Sequence, residues 1–113
     1  MSINRTVISG NLTRDPELRE TKAGVPVLSF TVAFNDRVKQ EDGKTLEFPN
    51  YIDCALFGTS AKNIHPYLHK AQHVCVDGKL RYNEFEQNGS KRSKLELIVN
   101  EIDFSGTAQK DEN

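Results

Sequence analysis

The sequence predicts an all-β domain: a five-stranded Greek-key barrel with one short helix between strands 3 and 4 and a long β-hairpin between strands 2 and 3. Three observations lead to this prediction. Apolar and polar residues alternate with a period of two over long segments, as in half-buried strands. The dipeptides Asp42-Gly43 and Asn88-Gly89 separate such segments, and both are strong hairpin signals. One segment, residues 60–71, has apolar residues at helical spacing.

Composition agrees with a single small domain. The chain has 113 residues, 27% of them charged, and a formal net charge of −1. This balance argues weakly against a polycation that wraps duplex DNA, but it leaves room for a local basic stripe. We find no apolar run long enough to span a membrane and no signal-peptide pattern, so we expect a cytoplasmic protein. Cys54 and Cys75 are isolated among apolar residues, which favours reduced core thiols over a disulfide.

The first two strands are predicted at residues 3–12 and 25–35. Gly10 interrupts the first, which indicates a bulge, a bend or a close backbone approach. Asp15-Pro16 breaks the pattern, and residues 21–24 resemble a turn. In the second strand every other residue is apolar, so one face belongs to the core. That face consists of Leu28, Phe30, Val32 and Phe34.

The third strand, at residues 51–57, follows a charged β-ribbon at residues 36–48. Its even positions are apolar and suit the core. Its odd positions place Tyr51 and Phe57 on the outer face, beside Asp53. Either a planar ligand packs on these two rings, or a second sheet, a loop or another subunit covers them.

The helix candidate at residues 60–71 begins with Ser60 as a possible N-cap and contains Pro66, which ends or kinks a helix. Three histidines spaced by four precede Cys75, but no ligand motif supports them, so we expect no metal and no cofactor. These histidines are His65, His69 and His73. The sequence also contains no phosphate loop, nucleophile elbow or catalytic carboxylate pair, so we expect no enzyme.

The fourth and fifth strands are predicted at residues 74–85 and 95–104. In the fifth strand the apolar set shifts phase between Val99 and Ile102, which indicates a bulge or burial on both faces. The alternation of the fourth strand assigns its residues to two faces. The inward set is Val74, Val76, Leu80 and Tyr82, and the outward set includes Lys79, Arg81 and Phe85.

Three strands, a helix and two strands is the element order of the OB-fold, whose strands 2 and 3 offer an outer face to ligands. Aromatic side chains stack on unpaired bases, and Lys and Arg contact phosphates. Tyr51, Phe57 and Phe85 with Lys79 and Arg81 therefore predict a surface for single-stranded nucleic acid. Four weaker basic candidates extend it. They are Arg37 and Lys39 in the ribbon, and Arg92 and Lys94 after the second turn.

A simpler interpretation remains open for each of these side chains. The cations fit an ordinary solvated strand face as well. Phe85 fits packing on Tyr82 or on the hairpin at residues 86–92.

Residues 4–19, with the sequence NRTVISGNLTRDPELR, resemble the opening of bacterial-type single-stranded DNA-binding proteins. Similar matches follow in order at residues 30–33, 56–58, 67–70 and 76–81, so the resemblance extends over residues 3–104. It implies an OB-fold that assembles as a homotetramer or dimer of dimers. It also implies a protein that binds and protects single-stranded DNA in replication, recombination and repair, in association with the nucleoid.

The resemblance also assigns site residues. The stacking aromatics of the family fall on Tyr51, Phe57 and Phe85, and family members often have Trp at the first and third. A further family aromatic falls near Val38, for which Phe34 or Phe48 is a possible substitute. The basic track of the family falls on Arg5, Lys79 and Arg81, with Lys62 as a weaker candidate.

Two departures from the family stand out. Ala71 occupies a position where Gly usually ends the helix, which alters the C-cap. We assign residues 1–105 to the OB-fold domain and residues 106–113 to a flexible polar tail, without the acidic, apolar-tipped end through which the family recruits enzymes. Recruitment of replication and repair enzymes is therefore doubtful. The alternative function is an OB-fold accessory or scaffold subunit that acts through protein contacts, with oligosaccharide binding a distant third.

Overall fold

Six β-strands, one α-helix and one 3₁₀ turn make up the chain in this computed structural model, which describes residues 1–105. The strands are β1 (Thr6–Leu12), β2 (Glu17–Glu20), β3 (Pro26–Lys39), β4 (Thr45–Phe57), β5 (His73–Gln87) and β6 (Ser90–Phe104). Between β4 and β5 lie α1 (Thr59–Ile64) and the 3₁₀ turn (His65–Tyr67). The predicted tail at residues 106–113 falls outside the described part of the chain.

Five of the strands form a closed barrel. Neighbouring strands follow the order β1-β5-β6-β4-β3-β2, and β1 also pairs with β3, where Asn11 lies opposite Ala33 and Leu12 opposite Val32. The predicted OB-fold, with its helix between the third and fourth barrel strands, is confirmed. Strand β2 is an addition that the sequence did not predict. Its four residues, ELRE, include one apolar side chain, Leu18, so the strand has no apolar alternation to detect.

The barrel interior is lined by the faces that the alternation assigned to it. The fully buried side chains include Leu12, Leu28, Val32, Val74, Val76 and Leu97. Two inward assignments are wrong: Phe34 is only half-buried and lies outside the core cluster, and Tyr82 is 63% exposed. Strands β5 and β6 continue beyond the barrel as a two-stranded hairpin. Tyr82 lies on the face of this hairpin that continues the inward face of β5, but the barrel core does not extend that far.

Both cysteines are free, as predicted. Cys54 lies in the core on β4, and burial raises the pKa of its thiol to about 12, with smaller contributions from the carboxylates of Asp53 and Glu96. Cys75 lies half-buried on the outer face of β5. Only Cys54 is therefore a core thiol.

Both irregularities predicted in the strands are present. The phase shift in the last strand is a β-bulge: Val76 pairs with Ile102 but Gly78 pairs with Val99, which leaves Asn100 unmatched. At Gly10 the chain makes the expected close approach, since a Cβ there would lie 2.3 Å from the carbonyl oxygen of Ala33. Both features bend the strands so that the sheet closes.

The helix differs from the prediction at both ends. Gly58, not Ser60, occupies the N-cap position, and it makes no side-chain cap hydrogen bond. The α-helix ends at Ile64, and Pro66 is the second residue of the 3₁₀ turn that follows. Ala71 then adopts the left-handed conformation typical of Gly, with φ 72°, and its N–H donates to the carbonyl oxygen of Leu12 at 2.8 Å.

We expect Ala71→Gly to stabilise the protein. A left-handed conformation costs an L-residue roughly 1–2 kcal/mol, and Gly lacks the Cβ that causes this cost. The free energy of unfolding should rise by about 1 kcal/mol, measured from urea denaturation. Ala61→Gly, inside α1, is the control and should lower it by roughly 2 kcal/mol, because it loses both helix propensity and a methyl group buried in the core. A loss of stability in Ala71→Gly would contradict the strain at this position.

Candidate nucleic-acid interface

Strand register places most of the predicted site residues on one outer face. On β4 this face contains Tyr51, Asp53, Ala55 and Phe57. The parallel pairing of β4 with β6 sets Asp53 beside Glu96 and Ala55 beside Ile98. Strand β5 follows on the far side of β6, with Lys79 opposite Ile98, Arg81 opposite Glu96 and Phe85 opposite Arg92. Because directly paired residues share a face, these side chains form one continuous surface, which we call the outer face.

The aromatic side chains of the outer face are accessible. Tyr51 is 66% exposed, Phe57 41% and Phe85 38%. Neighbouring strands are about 4.8 Å apart, so β5 lies roughly 10 Å around the barrel from β4. Phe85 makes no aromatic pair with Tyr82 within residues 1–105, and it lines a small groove with Glu84, Glu86 and Lys91 of its own hairpin. The described chain leaves most of Tyr51 exposed, whereas Phe57 is partly covered along the groove that it lines.

Beside Phe57 the outer face contains a groove of about 500 Å³. Arg14 and Arg19 reach this groove from β2 and the segment before it, and Arg19 donates to the hydroxyl of Ser29 at 3.2 Å. Neither arginine is among the site residues predicted from the sequence. The strand that positions them was not predicted, and the only signal was their place in the matching segment at residues 4–19.

A second groove, of about 700 Å³, brings Arg5 and Lys79 together. Arg5 donates two hydrogen bonds to the carboxylate of Asp77, at 3.0 and 3.3 Å. The hydrogen bond and the charge of Asp77 raise the pKa of the Arg5 guanidinium above its ordinary value. Glu101 also lines the groove, so its basic character depends mainly on Lys79.

Ion pairing divides the predicted cations into two groups. Besides Arg5, Arg37 pairs with Glu47 at 2.9 Å, and Lys94 lies 3.8 Å from Asp53 and 3.9 Å from Glu96. A phosphate would have to compete with these carboxylates. The other five cations form no ion pair within residues 1–105. They are Lys39, Lys62, Lys79, Arg81 and Arg92.

Lys62 and the apolar ribbon positions considered as a further stacking platform lie away from the outer face. Lys62 is on α1 rather than on the sheet. In the ribbon formed by β3 and β4, Arg37 and Lys39 share the face of Tyr51, whereas Val38 and Phe48 occupy the opposite face. Phe34, which lies opposite Asn50, is on that opposite face too. A platform at Phe34 or Phe48 would therefore belong to a different side of the ribbon from Tyr51.

Polar groups occupy the centre of the outer face. The hydroxyl of Thr31 donates to Oδ1 of Asp53 at 2.8 Å, and Lys94 stands between Asp53 and Glu96.

In residues 1–105 no three His, Cys, Asp or Glu side chains gather as metal ligands. No helix of this region has the length and apolar character needed to cross a membrane.

A family model described as the single-strand binding protein family matches residues 3–105. The single-stranded DNA-binding protein of Borreliella burgdorferi is 40% identical over 102 residues, which are 88% of this chain and 68% of that protein. That of Treponema pallidum is 39% identical over 105 residues, which are 93% of this chain and 59% of that protein.

Solved structures show the same fold. The single-stranded DNA binding protein from Thermus aquaticus superposes with a TM-score of 0.80 at 31% identity, over 92% of this chain and 50% of that chain. A Plasmodium falciparum protein, solved in complex with single-stranded DNA, gives a TM-score of 0.83 over 94% of this chain, and at 20% identity it supports the fold alone. The chain thus spans about half the length of the Thermus protein.

Proposed function

The chain belongs to the single-strand binding protein family, and we propose that its outer face binds single-stranded DNA with little regard to sequence. In the cell this activity would protect single strands during replication, recombination and repair, on the nucleoid. One observation carries the proposal. The register of β4, β6 and β5 joins exposed aromatic rings and cations that form no ion pair within residues 1–105 on one accessible surface.

Base stacking supplies the sequence-tolerant part of the binding energy. Every base has a π-face, and stacking on an aromatic side chain contributes roughly 1–3 kcal/mol per base. Tyr51 and Phe57 are six residues apart on β4, so their Cα atoms are separated by roughly 20 Å at the usual rise of a strand. The two rings therefore serve different nucleotides of the same strand. Phe85 offers a third platform on the β5–β6 hairpin.

Phosphate contacts supply the salt-dependent part. Lys79 and Arg81 are exposed and unpaired within residues 1–105, so they contact a phosphate without breaking an existing ion pair. Arg5, Arg37 and Lys94 first have to leave their carboxylates. We therefore rank Lys79 and Arg81 above Arg5, Arg37 and Lys94 as phosphate ligands.

Lys79→Ala should weaken binding mostly at low salt. The slope of log K against log salt concentration is negative, and removal of one phosphate contact makes it less steep by about 0.7 for a single strand. Titrations of a labelled oligonucleotide across a salt series measure this slope. Lys70→Ala, which removes the same charge beyond the 3₁₀ turn, is the matched control and should leave it unchanged. An unchanged slope in Lys79→Ala would remove this residue from the interface.

The proposed assembly is a homotetramer. Strand β1 pairs with β5 along one edge, but within the described residues it meets β3 only at Asn11 and Leu12, which leaves residues 6–9 open on the other edge. Val7 of this segment is exposed. An open strand edge is a ready template for pairing with another chain. Light scattering of the purified protein tests the proposed mass.

The deciding experiment is fluorescence anisotropy of a labelled oligo(dT) at about 50 and about 300 mM salt, with duplex of equal length as competitor. Tight binding that weakens with salt and resists duplex competition would support the proposal. Absence of binding at low salt would overturn it in favour of an accessory subunit that acts through protein contacts.

A further inference from the structure

We propose that Asn4 is a positioning residue, which holds β5 so that Lys79 and Arg81 contact phosphates. It acts through the backbone of Leu80, the residue between these two cations. The inference rests on the proposed binding of single-stranded DNA and adds to it a residue that is not among the predicted site residues. Asn4 precedes the first strand, since β1 begins at Thr6, yet its side chain reaches a residue 76 positions away in the sequence.

The side-chain amide of Asn4 pairs with the backbone of Leu80 in both directions. Its Nδ2 donates to the Leu80 carbonyl oxygen at 2.8 Å, and its Oδ1 accepts from the Leu80 N–H at 2.9 Å. Two residues that exchange both bonds in this way resemble the hydrogen-bonded pair of an antiparallel ladder. Thr6 pairs with Gly78, and the same register sets residue 4 opposite residue 80. The amide of Asn4 therefore extends the β1–β5 ladder beyond the end of β1.

The Asn4–Leu80 pair fixes β5 next to the proposed phosphate ligands. Beyond Leu80, the pairing of β5 within residues 1–105 is with β6 alone. On the barrel side of Lys79, Arg5 donates two hydrogen bonds to the carboxylate of Asp77. Two consecutive side chains, at positions 4 and 5, thus fasten β5 on both sides of Lys79 and immediately before Arg81.

Loss of the Asn4 amide would leave the N–H and the carbonyl oxygen of Leu80 to water. The projecting β5–β6 hairpin would then pivot more freely on the barrel, and Lys79 and Arg81 would move with the backbone that carries them. A binding side chain needs such supporting hydrogen bonds to keep its geometry. Asn4 itself is exposed, so its removal leaves the barrel core intact. The expected consequence is weaker phosphate contact in a folded protein.

The first measurement tests the pair itself. In Asn4→Ala the amide hydrogen of Leu80 should exchange with solvent roughly tenfold faster than in the wild-type protein, followed by NMR. Asn100→Ala, which removes an exposed amide from the same groove, is the matched control and should leave this rate unchanged. Thermal melting of each variant establishes that it is folded.

The second measurement is the affinity for a labelled oligo(dT) across a salt series. Asn4→Ala should lower the affinity at low salt roughly three- to tenfold. The salt slope should become less steep, by up to about 0.7 for each of the two phosphate contacts. Asn4→Gln keeps the donor and the acceptor on a longer side chain and should recover part of the affinity, whereas Asn100→Ala should bind as the wild type does.

A double-mutant cycle distinguishes positioning from direct contact. In a protein that already carries Lys79→Ala and Arg81→Ala, the addition of Asn4→Ala should cost no further affinity, because the side chains through which Asn4 acts are absent. A further decrease as large as that in the wild-type background would make Asn4 a DNA contact in its own right and overturn the proposal.

Two other results would overturn it as well. If Asn4→Ala speeds the exchange of the Leu80 amide but keeps the wild-type affinity and salt slope, the pair stabilises β5 and positions no phosphate ligand, while the proposed binding stands. If the wild-type protein does not bind oligo(dT) at low salt, the proposed function fails, and the role of Asn4 fails with it.

Discussion

Phe57→Ala is expected to lower the affinity for single-stranded DNA roughly five- to 150-fold, the equivalent of about 1–3 kcal/mol for the stacking of one base. Phe57 ends β4, is 41% exposed and lines the groove on the outer face. Stacking is not an electrostatic interaction with phosphate, so the decrease should be similar at low and high salt. Anisotropy titrations at both salt concentrations measure it.

Phe48→Ala is the matched control for this prediction. Phe48 is the same residue type on the same strand and is similarly exposed, but it occupies the opposite face. Its replacement should leave the affinity close to that of the wild type. Equal decreases in the two variants would place bases on both sides of the ribbon. If Phe57→Ala instead unfolds the protein without a separate binding defect, the ring belongs to the core and the assignment of the two faces is wrong.

Strand faces were predictable because alternation is a local property. In β4 the inward positions Cys54 and Leu56 are buried, and the outward Tyr51 and Phe57 are exposed. Alternation reports only the phase of a side chain, not how far the core extends. For this reason the pattern predicts Tyr82 in the core, whereas the residue lies on a projecting hairpin.

The polar centre of the outer face was not predictable from local pattern. Asp53 and Glu96 are neighbours only because β4 and β6 pair in parallel, and they are far apart in the sequence. The partner of Arg5, Asp77, likewise depends on the pairing of β1 with β5. Without these pairings the sequence indicates which cations are present but not which are already paired, and that difference decides how readily each one contacts a phosphate.

Gly78→Ala is expected to destabilise the barrel by about 3 kcal/mol or more. A Cβ at Gly78 would lie 2.0 Å from the carbonyl oxygen of Ile98 and 2.8 Å from a methyl group of Leu97. The first contact is with backbone, so a change of rotamer does not relieve it. Strands β5 and β6 would have to separate at the bulge, where their register already shifts. Urea denaturation measures the destabilisation, and the melting temperature should fall by more than about 10 °C.

Gly43→Ala distinguishes this overlap from an ordinary glycine effect. Gly43 has a positive φ of 86°, and a Cβ there would meet nothing within 4 Å. Its replacement should cost only the strain of a left-handed residue, roughly 1–2 kcal/mol. If the Gly78→Ala protein is as stable as the Gly43→Ala protein, β6 can move away from β5 at the bulge at little cost in free energy. Lys79 follows Gly78 directly, so such a yielding strand would also let the phosphate ligands move, and the outer face would then adapt to DNA rather than present a fixed surface.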